Sequence, residues 1–425
     1  MFTDYNKTIG YLFKLERRGI KYNLNNIRKI LKFLGNPERN FKSIHIAGTN
    51  GKGSVSSILN SILIKKGFKC GLYTSPHITD FRERILVNGA WCSKKFVIDF
   101  TNKIDKLIKE IEPSFFEVAT AMAFEYFSQK KVDYAVIETG LGGRLDSTNV
   151  LMPELSVITT IAIDHVDFLG NTIDKIAYEK AGIIKRKVPV VTGNLKPTAF
   201  KVIKAKAEKT KSELINPASK EIKILKRNEN GFDFSFGKDK YHFPVIGDYQ
   251  LYNLKTAITA IEVVSNRKNL SITKDDIQRG LSNIKSNSNF YGRFDVIKNN
   301  PLIVTDVSHN EQAFQNIADN LKYFNYKKLV IIFGMMKDKH YKKCLNILGE
   351  IDAKIILTRP LYPRAEEPQK LFEAAKNKSK FTSIQKLEDA FSYALKSAGK
   401  KDMILVTGSF FLVSEFLGIF RKHFK

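Results

Sequence analysis

The segment Gly48-Thr49-Asn50-Gly51-Lys52-Gly53-Ser54 contains the residue types that bind phosphate. Glycines let successive backbone N–H groups turn toward phosphate oxygens, and a helix start adds its positive end. Lys52 brings a mobile charge for outer phosphates, and a hydroxyl can meet Mg²⁺. The general pattern G-x-x-x-x-G-K-[ST] breaks twice here. Ile46 stands where its first glycine belongs, and Gly53 follows the lysine, so Ser54 comes one residue late. A structural turn is the plain alternative. Gly, Gly, Lys, Gly and Ser between an apolar run and a helical pattern favour nucleotide binding instead, with Thr49 to Ser54 as the expected contacts.

Other candidates sit at the ends of apolar runs. Glu138 closes one and precedes Thr139-Gly140-Leu141-Gly142-Gly143-Arg144. A carboxylate at the C-terminal end of a parallel strand faces the crevice where such sheets bind ligands, and its hard oxygens suit Mg²⁺. Asp164 and His165 follow the next run, so ligation or proton handling is expected of them. Asp306 and His309 follow another. They can reach a cleft between domains, or Asp306 or Ser308 can cap a helix. Lys180, in Glu179-Lys180-Ala181-Gly182, reads on spacing alone as an exposed helix lysine with no role.

These residues need elements to place them. Tyr5, Ile9, Leu12 and Phe13 have helical spacing, and a second helix starts at a cap near Asn25 and stops at Gly35. Ile44–Ala47 reads as a buried strand entering the loop. Val55, Ile58, Leu59, Ile62 and Leu63 read as the helix leaving it. Cys70–Tyr73, Tyr134–Glu138 and Leu155–Thr160 read as strands, and Phe96–Ile111 and Phe115–Phe127 as helices. Such alternation indicates a mostly parallel sheet covered on both faces. Between Lys185 and Pro244 we expect a lysine-rich helix and then a small antiparallel piece, from Phe232, Phe234 and Phe236 at period two. A helix follows over Gln250–Val264. The polar stretch Ser286–Asn289 is the linker candidate. Beyond it Leu302–Thr305, Leu329–Phe333, Lys354–Leu357 and Met403–Val406 restart the alternation. The expected organisation is α/β: an ATP-binding, P-loop NTPase-like domain over 1–289 and a Rossmann-like domain over 290–425.

The 425 residues suit two cores. A content of 43% hydrophobic and 27% charged residues argues against general disorder. Cys70, Cys92 and Cys344 lie far apart, with no metal spacing and no disulfide framework, so a cytoplasmic protein is expected. No signal peptide is read at Met1–Gly10, and no stretch approaches the roughly 18 apolar residues of a membrane span. The net charge of +27 raises the question of nucleic acid. The lysines are spread along the whole chain, and basic stretches such as Lys201–Lys211 lack interleaved aromatics. A solvated surface explains them better, and no nucleic-acid partner is expected.

The ordered set of motifs resembles the folylpolyglutamate synthase/dihydrofolate synthase family, relatives of the Mur ligases. It comprises Gly48–Ser54, Thr74-Ser75-Pro76-His77, Phe81-Arg82-Glu83-Arg84-Ile85, Phe116-Glu117 with Thr120-Ala121, and Glu138 with Gly140–Asn149. Asp164-His165, Glu179–Ile184, Gly292-Arg293 and Asp306–Asn310 complete it. The resemblance implies that ATP phosphorylates a carboxylate and that the amine of L-glutamate displaces the phosphate. It implies Lys52, His165, Lys180 and His309 in catalysis, and Asn253, Arg293 and Asp306 at the nucleotide. Ser54, Ser75 and Glu138 would hold one Mg²⁺. His165 and a carbamylated Lys180 would hold a second. Arg82 and Asp146 would face the folate or pterin. Gly142–Asn149 looks like bacterial enzymes that add the first glutamate to dihydropteroate and then extend tetrahydrofolates. A monomer acting on small molecules is expected. The family's usual His-Gln pair is Tyr249-Gln250 here, and Asp-Gly-Ala-His-Asn-Pro is Asp306-Val307-Ser308-His309-Asn310-Glu311. The competing ligase reading, a Mur enzyme acting on a nucleotide-sugar peptide, usually needs a further N-terminal domain, for which a loop at Gly48 leaves no room.

Overall fold

The computed structural model describes residues 1–19, 23–228 and 230–424. Strands β1 (Lys42–Ala47), β2 (Cys70–Tyr73), β3 (Ile85–Val87), β4 (Ala90–Trp91), β5 (Tyr134–Glu138), β6 (Leu155–Ile158), β7 (Val190–Thr192) and β8 (Leu214–Ile215) form the first sheet. Its order is β4-β3-β2-β5-β1-β6-β7-β8. β1 lies between β5 and β6, parallel to both. Only β3 and β4 run against their neighbours.

Burial on both faces explains the apolar runs. β1 is buried at every position after Lys42. On one face the helices Lys52–Lys65, Tyr249–Lys268 and Lys274–Ser282 pack over Ile44, Ile46 and Val136. On the other, Tyr5–Lys14, Asn25–Leu34, Lys94–Ile111 and Phe115–Gln129 pack over Tyr73, Ala135 and Ile137. Asn25 is the first helical residue, and its expected cap position belongs to Leu24. Ser114 caps the Phe115–Gln129 helix reciprocally with Glu117.

The expected antiparallel piece is a sheet of β9 (Ile222–Asn228), β10 (Gly231–Phe236) and β11 (Asp239–Phe243). Phe232, Phe234 and Phe236 turn to one face and join the core under the first sheet. The second large sheet contains β12 (Asp295–Asn299), β13 (Leu302–Asp306), β14 (Leu329–Phe333), β15 (Lys354–Arg359), β16 (Phe381–Lys386) and β17 (Met403–Thr407). Its order is β12-β13-β17-β14-β15-β16, parallel except for β12.

The Ser286–Asn289 stretch is not a free linker. Ile284–Ser288 is a short helix, and Asn287 and Ser288 are buried. The Asn60 amide donates to Asn287 O and Ser288 Oγ, both at 3.0 Å, and Asn287 Nδ2 donates to Ser61 Oγ at 2.9 Å. The stretch is polar because it faces the polar side of the Lys52–Lys65 helix. Among the described residues no helix is long and apolar enough to cross a membrane.

Candidate active site

The phosphate loop joins β1 to the Lys52–Lys65 helix. Gly51, at φ +85°, is that helix's N-cap. Gly48 has φ +156°, and a Cβ there would lie 1.9 Å from Thr159 Oγ1. Thr159 and Thr160, just past β6, clamp the loop. Their hydroxyls donate to Asn50 O at 2.7 and 3.0 Å, and Thr160 O accepts from Thr49 N at 2.7 Å. Lys52 Nζ folds back on the carbonyls of Gly48 and Thr49, each at 3.2 Å.

Glu138 ends β5 beside the loop, and its Oε2 accepts from Ser75 N at 3.3 Å. Burial pushes its carboxyl above the usual range, while Lys52 and Arg293 pull the other way. Ser54 is buried in the first turn after the loop. A Cβ on Gly53 would lie 2.9 Å from Arg293 NH2 and 3.5 Å from Glu138 Oε2, so both side chains bear on the loop. Asn253 approaches from the other side. A Cβ on Gly51 would meet its Oδ1 at 2.3 Å, and its Nδ2 donates to Gln250 at 2.8 Å. Asp306, at the end of β13, is buried and accepts from Phe294 N and Ser308 N at 3.1 and 2.9 Å. Neither Asp306 nor Ser308 caps the next helix; Asn310 does.

Lys180 overturns the reading that spacing alone gives it. It is 4% exposed, and its Nζ donates to Gly48 O at 2.7 Å. Burial, reinforced by Lys52, lowers its pKa to about 7. His165 takes a left-handed conformation, φ +50°, and its side chain is 42% exposed. Desolvation holds its imidazole at about 4 against the pull of Asp164. Burial pushes the Asp164 carboxyl up, but His165 and Lys339 outweigh it and hold it at about 2. Lys339 Nζ reaches Asp164 from the second sheet at 3.2 Å. His309 Nδ1 lies 3.0 Å from Val307 O, and burial lowers its pKa. Asn310 and Gln312 also cross over, bonding the Asn50 side chain at 3.0 Å each.

Arg82 and Arg84, two residues apart, have different surroundings. Arg82 is held by Asp80 through Nε and NH2, at 2.9 and 2.8 Å, between the rings of Tyr5 and Trp91. Arg84 is 7% exposed and donates from Nε to His77 Nδ1 at 2.9 Å. It lies over Phe115, and its field reaches Glu138. Asp146 is buried and accepts from Leu141 N at 2.8 Å and Thr148 N at 3.0 Å.

The loop, Ser54, Ser75, Glu138, Lys180, Asn253 and Arg293 thus converge. His165 and Asp164 lie at the edge, and His309 and Asp306 come from the second sheet. Arg82 lies apart from them, beside Asp80, Tyr5 and Trp91. Thr159, Thr160, Arg84, Lys339 and Gln312 escaped the sequence reading. The two threonines were read as the end of the strand Leu155–Thr160, which stops at Ile158 and leaves them in the loop after it.

With this geometry in view, two family models match the chain: the Mur ligase middle domain over residues 46–261 and the Mur ligase glutamate ligase domain over 292–410. A dihydrofolate synthase/folylpolyglutamate synthase of Bacillus subtilis is 32% identical over 431 residues, covering 98% of this chain and 99% of the relative. Folylpolyglutamate synthase of Mycobacterium tuberculosis, solved with ADP and AMPPCP, superposes at TM-score 0.88 with 29% identity, covering 98% and 99% of the two chains. An Escherichia coli relative solved with DHPP and ADP also gives 0.88, at 26% identity, covering 100% and 99%. The chain is an ATP-dependent ligase of the folylpolyglutamate synthase/dihydrofolate synthase family, within the Mur ligases.

Proposed function

We propose that this enzyme adds L-glutamate both to dihydropteroate and to the glutamate of tetrahydrofolates. One observation carries the reading. The C-terminal strand edges of the two large sheets meet over the phosphate loop, through Asn50 with Asn310 and Gln312 and through Asp164 with Lys339. An acceptor carboxylate phosphorylated at the loop then lies open to an amine held by the second half. The carboxylate takes the γ-phosphoryl group and ADP leaves. The glutamate amine attacks the acyl carbon, phosphate departs with the C–O bond, and the amine gives up its proton. Lys52 neutralises charge on the moving phosphoryl group, and the halves supply the positioning. Arg293, Asn253 and Asp306 hold the nucleotide, and His309 faces the phosphates or glutamate.

Among the described residues no three His, Cys, Asp or Glu side chains form a ready metal site. Mg²⁺ prefers one or two carboxylates together with substrate phosphates. Ser54, Ser75 and Glu138 would hold it, and the buried Glu138 carboxyl is a fitting donor. His165 and carbamylated Lys180 would hold a second ion; a Lys180 amine with pKa about 7 is substantially neutral near pH 7, as attack on CO₂ requires. Bound Mg²⁺ screens the charge of the phosphates.

We assign residues 1–289 to an ATP-binding domain and 290–425 to a glutamate-ligase domain, in a cytoplasmic monomer. Three buried free cysteines support a reducing compartment. Bifunctionality is supported by Asp146–Asn149 and by the two activities named for the Bacillus subtilis relative. The test is incubation with ATP, Mg²⁺, glutamate and either dihydropteroate or tetrahydrofolate, reading phosphate release and product mass. Both acceptors should gain a glutamyl group. Release with neither would overturn the proposal, and release with one would overturn bifunctionality.

A further inference from the structure

His45 is fully buried on β1, three residues before the phosphate loop. A buried imidazole is costly unless its polar atoms are used. Its Nε2 lies 2.8 Å from Thr148 Oγ1, and its Nδ1 has no hydrogen-bond partner. Thr148, also fully buried, donates its hydroxyl proton to Asp146 Oδ1 at 2.5 Å. That proton can be given only once, so His45 must be the donor to Thr148. The Nε2–H tautomer follows, with the bare Nδ1 costing less than a buried unpaired N–H.

Asp146 closes the chain. Thr148 N and Oγ1 both reach Oδ1, at 3.0 and 2.5 Å, while Leu141 N takes Oδ2 at 2.8 Å. Oδ1 takes two donors and Oδ2 one, so Oδ2 keeps a lone pair for a ligand N–H. The surrounding loop packs against the aromatic helix start, since a Cβ on Gly140 would lie 2.4 Å from Phe116 Cζ.

We infer that His45 and Thr148 are positioning residues for the acceptor substrate, holding Asp146 in one orientation with Oδ2 free to accept from the N–H donors of a pterin. The inference rests on the reading above that Asp146 faces the pterin. His45 and Thr148 touch no substrate; they act through Asp146. Their loss should alter acceptor binding and leave ATP binding alone, which a purely structural role would not do selectively.

The test is steady-state kinetics of the full chain with Thr148→Val, Thr148→Ser, His45→Leu and Asp146→Asn. Losing a bond to a charged group should raise KM for dihydropteroate about tenfold in Thr148→Val, with KM for ATP within about twofold. Thr148→Ser should stay near the parent. The double variant His45→Leu/Thr148→Val should be no worse than Thr148→Val, because both act on one carboxylate. If Thr148→Val does not fold, Thr148→Ala takes its place. An unchanged dihydropteroate KM in Thr148→Val, or equal rises for ATP and dihydropteroate, overturns the inference. If Asp146→Asn still raises that KM, the pterin reading survives the loss. If Asp146→Asn changes nothing, both fall.

Discussion

Two amines point at one carbonyl: Lys52 Nζ and Lys180 Nζ reach Gly48 O at 3.2 and 2.7 Å. Their chemistry differs because their burial differs. Lys52 meets the loop mouth, whereas Lys180 is enclosed and held at about 7. Lys52→Ala should cut turnover by at least about a thousandfold, as expected for removing a preorganised charge on the transferred group. Its circular dichroism should match the parent, because the loop is held by Thr159 and Thr160. Near-parental turnover would refute the phosphate role. For Lys180 the sign follows from its lowered pKa. The amine is neutral above about 7 and protonated below, so a carbamate on it would be lost as pH falls through that value. Activity should drop between about pH 8 and pH 6, and bicarbonate should restore part of it by mass action. Lys180→Ala should lose the bicarbonate response and gain from acetate. A flat, bicarbonate-insensitive profile in the parent would count against carbamylation.

At the scale of elements, the site depends on β1 and the turn after it. Gly48 leaves no room for a side chain: a Cβ would overlap Thr159 Oγ1 at 1.9 Å and sit 3.3 Å from Thr159 N. Gly48→Ala should lose activity more than about a hundredfold, because loop geometry is what positions the phosphates. The loss should appear in initial rates on ATP before any large fall in Tm. A fully active Gly48→Ala enzyme would show that the loop tolerates another path. β1 also carries His45, which burial and then Lys185 hold at about 3. The unfolded chain takes up its proton near pH 6.5, while the folded chain does so only near 3. This contribution to stability is complete above about pH 6.5 and is lost as pH falls toward 3. Urea melts should show His45→Leu losing about 1–2 kcal/mol less than the parent between pH 7 and pH 5. Equal losses would mean that His45 titrates normally.

For the whole molecule, the helix Glu311–Leu321 couples the halves at both ends. Its start bonds the phosphate loop through Asn310 and Gln312. Its end meets Asp248 through Asn320 at 3.1 Å, and Tyr323 just beyond reaches the same aspartate at 2.9 Å. Arg227 of β9 pairs with Asp248, so the small sheet braces the joint. Across the cleft, Asp164 and Lys339 are each only 16% exposed, enough to escape most solvent screening. Lys339→Met should lower kcat/KM for glutamate more than about tenfold, by loosening the alignment of the halves. Its KM for ATP should stay close to the parent's. A glutamate kcat/KM within about twofold of the parent would remove Lys339 from the coupling.

Local rules made much of this legible in the sequence. Apolar runs became β1, β5, β6, β13, β14, β15 and β17 because a parallel strand buried on both faces needs side chains that avoid water throughout. The glycine-rich loop could be read because only backbone with positive φ and no Cβ fits between Thr159 and Asn253. Glu138 was legible from strand direction alone. Tertiary packing decided the rest. Lys180 looks exposed on its helix until the helix is seen to press it against Gly48 O. Ser286–Asn289 looks like a linker until Ser57, Asn60 and Ser61 are seen opposite. Arg82 and Arg84 are two residues apart and alike in sequence; Asp80 pairs with one, while the other is buried and donates to His77. The sequence by itself determined that a phosphate-type loop is present and which apolar runs become strands. Only the tertiary structure decided that Lys180 is buried, which arginine is buried, and what closes over the loop, because each depends on packing between residues distant in the chain.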